Sequence, residues 1–323
     1  MAAPDAPGPV VAGPVVVAEV VRSGFVEGRH HGSVVALGAD GTVEWSIGDV
    51  TSPVLPRSCN KPVQALAMVR HGLDLPPDLL ALGCGSHSGE QLHVDGVRRI
   101  LATVDLDESA LQTPEDYPLH EEVRLAHVRA GGQRTRIHMN CSGKHAAMLA
   151  TCVVNGWDTA TYLDPHHPLQ VAITETFVEL TGEPVAVAAT DGCGAPLLST
   201  SLTGLAQGFR TLAVATDGPE RRVADAIRQH PEMVSGTTRD ERDVLAAVPG
   251  AIGKMGAEAC HALALPDGRA FALKIDDGAD RARRVVLAAA LERAGVADGA
   301  VRRTGLVELH GGGRVVGTVR AAV

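Results

Sequence analysis

Aromatic side chains are almost missing from this chain: Phe, Trp and Tyr together make up 2% of its 323 residues. Few rings are available to stack on bases or sugars, which argues against a binder of nucleic acid or carbohydrate. Positive charge is also short. The formal net charge is -9, with Arg interspersed among Asp and Glu, so no basic patch is expected to follow a phosphate backbone. No apolar run reaches the ~18 residues that a membrane-spanning helix needs, and no membrane partner is expected. The six cysteines are unclustered, with no secretory signal ahead of them. They read as buried thiols or ligands, not a disulfide framework, which places the protein in a reducing compartment, the cytoplasm.

What is present is aliphatic. Apolar residues make up 45% of the chain, enough for a sizeable core of Val, Ala and Leu. Residues 1–14, rich in Ala, Pro and Gly, read as a disordered tail, and residues 15–323 as a single domain. Val15–Val21 and Gly32–Ile47 alternate β-branched and small residues, with Asp40-Gly41 as a hairpin turn between two strands. Helices are expected at Pro62–Arg70, from Ser88-Gly89-Glu90 to Leu101, and at Gly143–Asn155, Pro168–Leu180, Pro196–Leu212, Pro219–Gln229 and Asp280–Ala294. Strands return at Ala257–Leu265, at Arg269–Ile275, and as a pair within Leu306–Val319. The fold class that follows is α/β: an antiparallel sheet formed by both termini, with a helical region packed on it.

Several segments carry chemistry. Ser58-Cys59-Asn60-Lys61 puts a hydroxyl and an amine one helical turn apart, on one face. A neutral lysine can take the serine proton, and Arg57 is placed to supply the positive charge that keeps it neutral. The same four residues also suit an N-cap serine with a solvated lysine. Gly83-Cys84-Gly85-Ser86-His87-Ser88-Gly89-Glu90 precedes a helix, so its small residues can bring N–H groups to a carboxylate or oxyanion; the plainer reading is a tight turn with Ser88 as cap. Cys141 and Cys193, each beside glycine at an element end, can converge on a metal with Lys144 or His145 as third ligand. Zinc chemistry alone favours His145, and two inert buried thiols are the other reading. Lys274, in the apolar strand Phe271–Ile275, needs a partner if it is buried.

Taken together, these segments resemble the rhizobial-type, or class 3, L-asparaginase family, a branch similar to the serine β-lactamase and glutaminase fold. The likeness rests on R-S-C-N-K-P-x-Q at 57–64, S-H-S-G-E at 86–90 and N-C-S-G-K-H at 140–145. It continues through D-G-C-G-A-P at 191–196, G-K-M-G-A-E at 253–258 and the spacing from Cys260 to Lys274. The resemblance implies hydrolysis of L-asparagine by two Ser-Lys pairs, Ser58 with Lys61 and Ser86 with Lys274, with either serine as nucleophile. It also implies Zn²⁺ held by Cys141, Lys144 and Cys193, in place of the His145 preferred from ligand chemistry. Arg57, His87, Ser88, Glu90, Asp191 and Cys260 are then the binding or supporting residues, Asp191 orienting a ligand or water. A homodimer is implied as well. A glutaminase or other side-chain amidohydrolase is the alternative enzyme, and a non-catalytic zinc or amino-acid sensor the alternative of another class. The S-D-N and K-T-G motifs of β-lactamases are not found in this sequence, so penicillin chemistry is not expected.

Overall fold

Both ends of the described chain meet in one antiparallel sheet. The computed structural model describes residues 15–296 and 298–323; the expected tail, residues 1–14, lies outside them. Strands β1 (Val15–Arg22), β2 (Phe25–Leu37) and β3 (Val43–Ile47) open the chain. A short pair, β4 (Ala188–Thr190) and β5 (Pro196–Leu198), lies in the helical region. The late strands are β6 (Ile252–Gly256), β7 (Cys260–Ala264), β8 (Ala270–Ile275), β9 (Glu308–Gly311) and β10 (Arg314–Ala321). The eight-stranded sheet runs β6-β7-β8-β2-β1-β10-β9, with β3 added on β2. The expected closure by the termini is the pairing of β1 with β10, Val20 opposite Val319.

The helices are α1 (Lys61–Arg70), α2 (Pro77–Gly83), α3 (Gln91–Ala102), α4 (Glu121–Arg129), α5 (Ser142–Asn155) and α6 (Pro168–Thr181). They continue as α7 (Leu202–Val214), α8 (Gly218–Gln229), α9 (Pro231–Val234), α10 (Asp240–Ala247), α11 (Asp280–Arg293) and α12 (Gly299–Thr304). Glycine stops α5 and α6: Gly156 and Gly182 have φ of 66° and 70°, the left-handed cap that glycine takes without a Cβ penalty.

The second half of β2 explains why the chain tolerates so few rings. Val35 and Leu37 join a core with α1, α2, α5, α6 and α7 on one face. Val34 and Ala36 join a second core, with α11 on the other. A strand covered on both sides reads as a continuous apolar run, and layers of Val, Ala and Leu fill both gaps.

Three expectations are corrected. The helix expected at Pro196–Leu212 begins only at Leu202, because Ser201 caps it by accepting from the Gly204 N–H, and Pro196–Leu198 pairs as β5 instead. The strand expected at Ala257–Leu265 begins at Cys260. Glu258 and Ala259 turn the chain there with φ of 58° and 52°, a conformation that usually advertises itself through Gly or Asn. Strand β6 and helices α2, α4, α9, α10 and α12 had no counterpart in the sequence reading, most of them being too short to show a period.

Candidate active site

Two loops and an edge strand converge where α1 begins. The residues preceding α1 form a 3₁₀ turn, Arg57–Asn60, entered through a left-handed Arg57 at φ 54°. A non-glycine residue in that region is strained and persists only where its surroundings impose it. Gly256 at the end of β6 is part of those surroundings: a Cβ there would lie 2.4 Å from the Pro56 carbonyl oxygen, so only glycine lets the turn sit against the strand.

The turn carries Lys61 into the interior, where its side chain is 1% exposed. Its Nζ lies 2.9 Å from Ser86 Oγ and also donates to the Gly85 carbonyl. The amine therefore meets Ser86, and no hydrogen bond joins it to Ser58. Ser58 instead lines a cavity of about 220 Å³ together with Ser86, Asn140, Arg239, Met255, Gly256, Ala257, Leu119 and Asp280. Both serines thus face one space, with Lys61 beneath Ser86.

The Ser86 loop is held from every side. Ser86 N–H donates to the Val234 carbonyl at 2.8 Å and His87 N–H to the Asn140 carbonyl at 3.0 Å. Arg239 donates to the Ser86 carbonyl at 2.7 Å. His87 Nδ1 accepts the Gly89 N–H, which leaves Nε2–H to donate to Ser142 Oγ at 2.8 Å. Burial drives the His87 pKa well below the ordinary imidazole range, helped by His93 and Lys61. Ser88 Oγ donates to the Ser235 carbonyl at 2.9 Å, and Glu90 takes both the N–H and hydroxyl of Thr237. His87, Ser88 and Glu90 are consequently ties that fix the loop. The expected anion cradle is corrected on the same ground: the N–H groups of Ser86, His87 and Gly89 are all spent inside the protein, as buried donors must be. Ser88 does not cap α3 either.

The pairing of Ser86 with Lys274 is a further correction. Lys274 donates to the Ile275 carbonyl and lines a separate cavity of about 380 Å³ with Val54, Leu55, Arg57, Glu258 and Asp276. Its ladder neighbour Cys260 packs in the core against the Cys59 thiol, which burial and then Cys260 keep protonated. Arg57 turns away from Lys61 and pairs with Asp191 at 2.8 Å.

Beyond Asn140 lies a sulfur-rich pocket. Cys141 and Cys193 pack with Met139 and Ala195, and Lys144 Nζ lies 3.2 Å from Cys193 Sγ. The hydrogen bond from Cys141 depresses the Cys193 pKa strongly, and the Lys144 charge adds to it, against the cost of burial. Lys144 is itself raised: burial disfavours its charge, but Cys193, Cys141 and Asp191 outweigh it. His145 gives Nδ1 to the Tyr162 hydroxyl at 2.7 Å, while its Nε2 is buried without a partner. Among the described residues no three of His, Cys, Asp and Glu gather as a metal site; Lys144 is the amine beside Cys193. Two sulfurs and an amine suit zinc, provided that Lys144 releases its proton on binding.

Arg239, Asp280 and Glu241 escaped the sequence reading. Arg239 and Asp280 line the cavity, and Asp280 also receives Arg283. Lys254, on β6 and within the G-K-M-G-A-E segment, is wholly buried against Glu241 of α10, at 2.9 Å; burial, opposed by Glu241, lowers its pKa. Nothing local marks Arg239 or Glu241, because tertiary packing sets their partners, Ser86 and Lys254.

With this geometry in place, comparison with known proteins becomes informative. The sequence profile of L-asparaginase II matches residues 18–321. The chain belongs to that family. An L-asparaginase II relative is an amidohydrolase of asparaginase type, acting on a small molecule. No curated protein matches the chain. Among solved structures, a β-lactamase from Mycobacterium bovis is 15% identical, with a TM-score of 0.38, over 81% of this chain and 94% of that one. Mglu in its native form is 15% identical, with a TM-score of 0.45, over 83% of this chain and 65% of that one. EstCE1, a hydrolase with promiscuous acyltransferase activity, is 14% identical, with a TM-score of 0.41, over 85% and 93%. Likeness at this level says nothing of substrate.

The buried histidines of this family member set its acid limit. His87 and His261 are both held far below their ordinary pKa, chiefly by burial. In the unfolded chain each gains a proton below about pH 6.5, so stability falls as pH drops, by up to about 1.4 kcal/mol per unit for each histidine. Denaturant unfolding at about pH 7.5 and about pH 5.5 is expected to show a clear loss at the lower value. Equal unfolding free energies at both would contradict the neutral assignment.

Proposed function

We propose that this protein hydrolyses the side-chain amide of L-asparagine to L-aspartate and ammonia, with Ser86 as nucleophile and Lys61 as its base. The observation that carries this reading is the 2.9 Å contact of Lys61 Nζ with Ser86 Oγ, set in a cavity that also presents Ser58, Arg239 and Asp280. A guanidinium and a carboxylate facing one small space match the carboxylate and ammonium of an α-amino acid. At about 220 Å³ the cavity is smaller than the ~300 Å³ at which drug-sized ligand pockets begin, which suits asparagine better than a longer substrate.

In the reaction, Ser86 Oγ bonds to the amide carbon while its proton passes to the lone pair of Lys61 Nζ. The oxyanion that forms needs donors already in place. As the carbon–nitrogen bond breaks, Lys61 returns the proton to the leaving ammonia. Water then attacks the aspartyl ester, giving a proton to Lys61, which restores it to Ser86. Ser58, across the cavity, holds the departing nitrogen and the incoming water. The order expected from the S-x-x-K spacing is thereby exchanged: Ser58 supports and Ser86 attacks.

Zinc is the group that the resemblance implies, and Cys141, Lys144 and Cys193 are the residues that would hold it. When bound it would supply a fixed positive charge able to orient polar groups of the substrate. Asp191, tied to Arg57 and 3.8 Å from Cys193 Sγ, keeps that pocket in register with the 3₁₀ turn that carries Ser58.

Ser86→Ala and Lys61→Met are each expected to lower kcat for ammonia release by about 10³ or more, since members of such a unit fail together. Lys274→Met is expected to leave kcat near wild type, because Lys274 faces the other cavity and makes no contact with Ser86. A fully active Ser86→Ala, or a dead but folded Lys274→Met, would refute the assignment. Zinc content by elemental analysis should fall sharply in Cys193→Ser, because an alcohol is a far poorer ligand than a thiolate, and should persist in His145→Ala. Full occupancy in the first or loss in the second would mean a different ligand set. The resemblance also extends to a homodimer; light scattering that returns the mass of one chain would oppose the dimer.

A further inference from the structure

The start of helix α10 touches two walls of the cavity at once. Arg239 donates to the Ser86 carbonyl at 2.7 Å, and its other terminal nitrogen lies 3.8 Å from Met255 Sδ. Two residues on, Glu241 points at strand β6. Both of its oxygens receive Lys254 Nζ, at 2.9 and 3.0 Å, and Oε1 also accepts the Met255 N–H. Lys254 Nζ completes the arrangement by donating to the Met255 carbonyl at 2.9 Å. Strand β6 is the edge of the sheet, and its outward N–H and C=O at Met255 would otherwise have no strand to pair with. The ion pair takes the place of that missing strand.

An ion pair with both side chains 0% exposed is a poor way to gain stability, since apolar replacements are often as good or better. Its position suggests another use. Met255, Gly256 and Ala257 line the cavity, and the Lys254 carbonyl accepts the Cys59 thiol at 3.0 Å, one residue from Ser58.

We propose that Glu241 is a positioning residue for the reaction: it clamps Lys254 and Met255 and so fixes the edge strand against Ser58, while Arg239 fixes the Ser86 loop from the same helix start. The proposal rests on the hydrolytic reading of this cavity. Glu241 touches no substrate and acts through Met255 and Lys254.

The test compares Glu241→Gln, which keeps an oxygen for the Met255 N–H, with Glu241→Ala, which does not. Glu241→Ala is expected to lower kcat by about 100-fold with KM within about threefold, the cost of an ~1 Å misplacement, and Glu241→Gln to recover most of that loss. A crystal structure of Glu241→Ala should show Met255–Ala257 displaced from Ser58 by about 1 Å relative to wild type. If Glu241→Ala does not fold, Glu241→Leu with Lys254→Met leaves no unpaired buried charge and carries the same displacement test. Wild-type kcat in folded Glu241→Ala, or Met255–Ala257 superposing on wild type, would overturn the clamp. Should the wild-type protein release no ammonia, the hydrolytic reading fails, and the crystal comparison still decides whether Glu241 sets the strand.

Discussion

A buried amine must find acceptors or give up its charge, and the whole site follows from how Lys61 meets that demand. It begins α1, where the chain has just passed through a left-handed Arg57, and it ends against Gly85 and Ser86. A loop that receives a lysine this way cannot wander. Its own N–H groups are tied to Val234, Asn140 and His87, so Ser86 is presented to the cavity by a frame with no slack. Preorganisation of this kind is what lets a hydroxyl and an amine act as a unit without reorganising during the reaction.

The same economy joins the serine cavity to the sulfur pocket. Asn140 lines the cavity with its Oδ1 3.1 Å from Cys141 Sγ, and Arg57 links the Ser58 turn to Asp191 beside Cys193. A change of charge at Cys193 and Lys144 is therefore felt within one or two side chains of both serines.

Local chemistry was legible in the sequence where the determinants are local. The β-branched runs mark the strands that close the sheet, whereas the 3.6-residue spacing pairs Ser58 with Lys61 and the structure gives Lys61 to Ser86 instead. Asn140–His145 and Asp191–Gly194 were marked by their cysteines and meet as expected. Partnerships set by tertiary packing were not legible. Lys61 reaches a serine 25 residues on, Arg57 an aspartate 134 residues on, and no spacing rule connects them. Lys274 stands out as a lysine in an apolar strand, whereas Lys254, within the G-K-M-G-A-E segment, is the fully buried one. The β6–β7 turn hid because Glu258 and Ala259 adopt a backbone that their side chains do not announce.

The central claim is that Ser86 forms a covalent bond to substrate. Mixing the protein with L-asparagine, quenching in acid within the first turnovers and mapping the peptides by mass spectrometry tests it directly. The account predicts an aspartyl adduct on the peptide that contains Ser86, missing from Ser86→Ala. An adduct on the Ser58 peptide, persisting in Ser86→Ala, would contradict it.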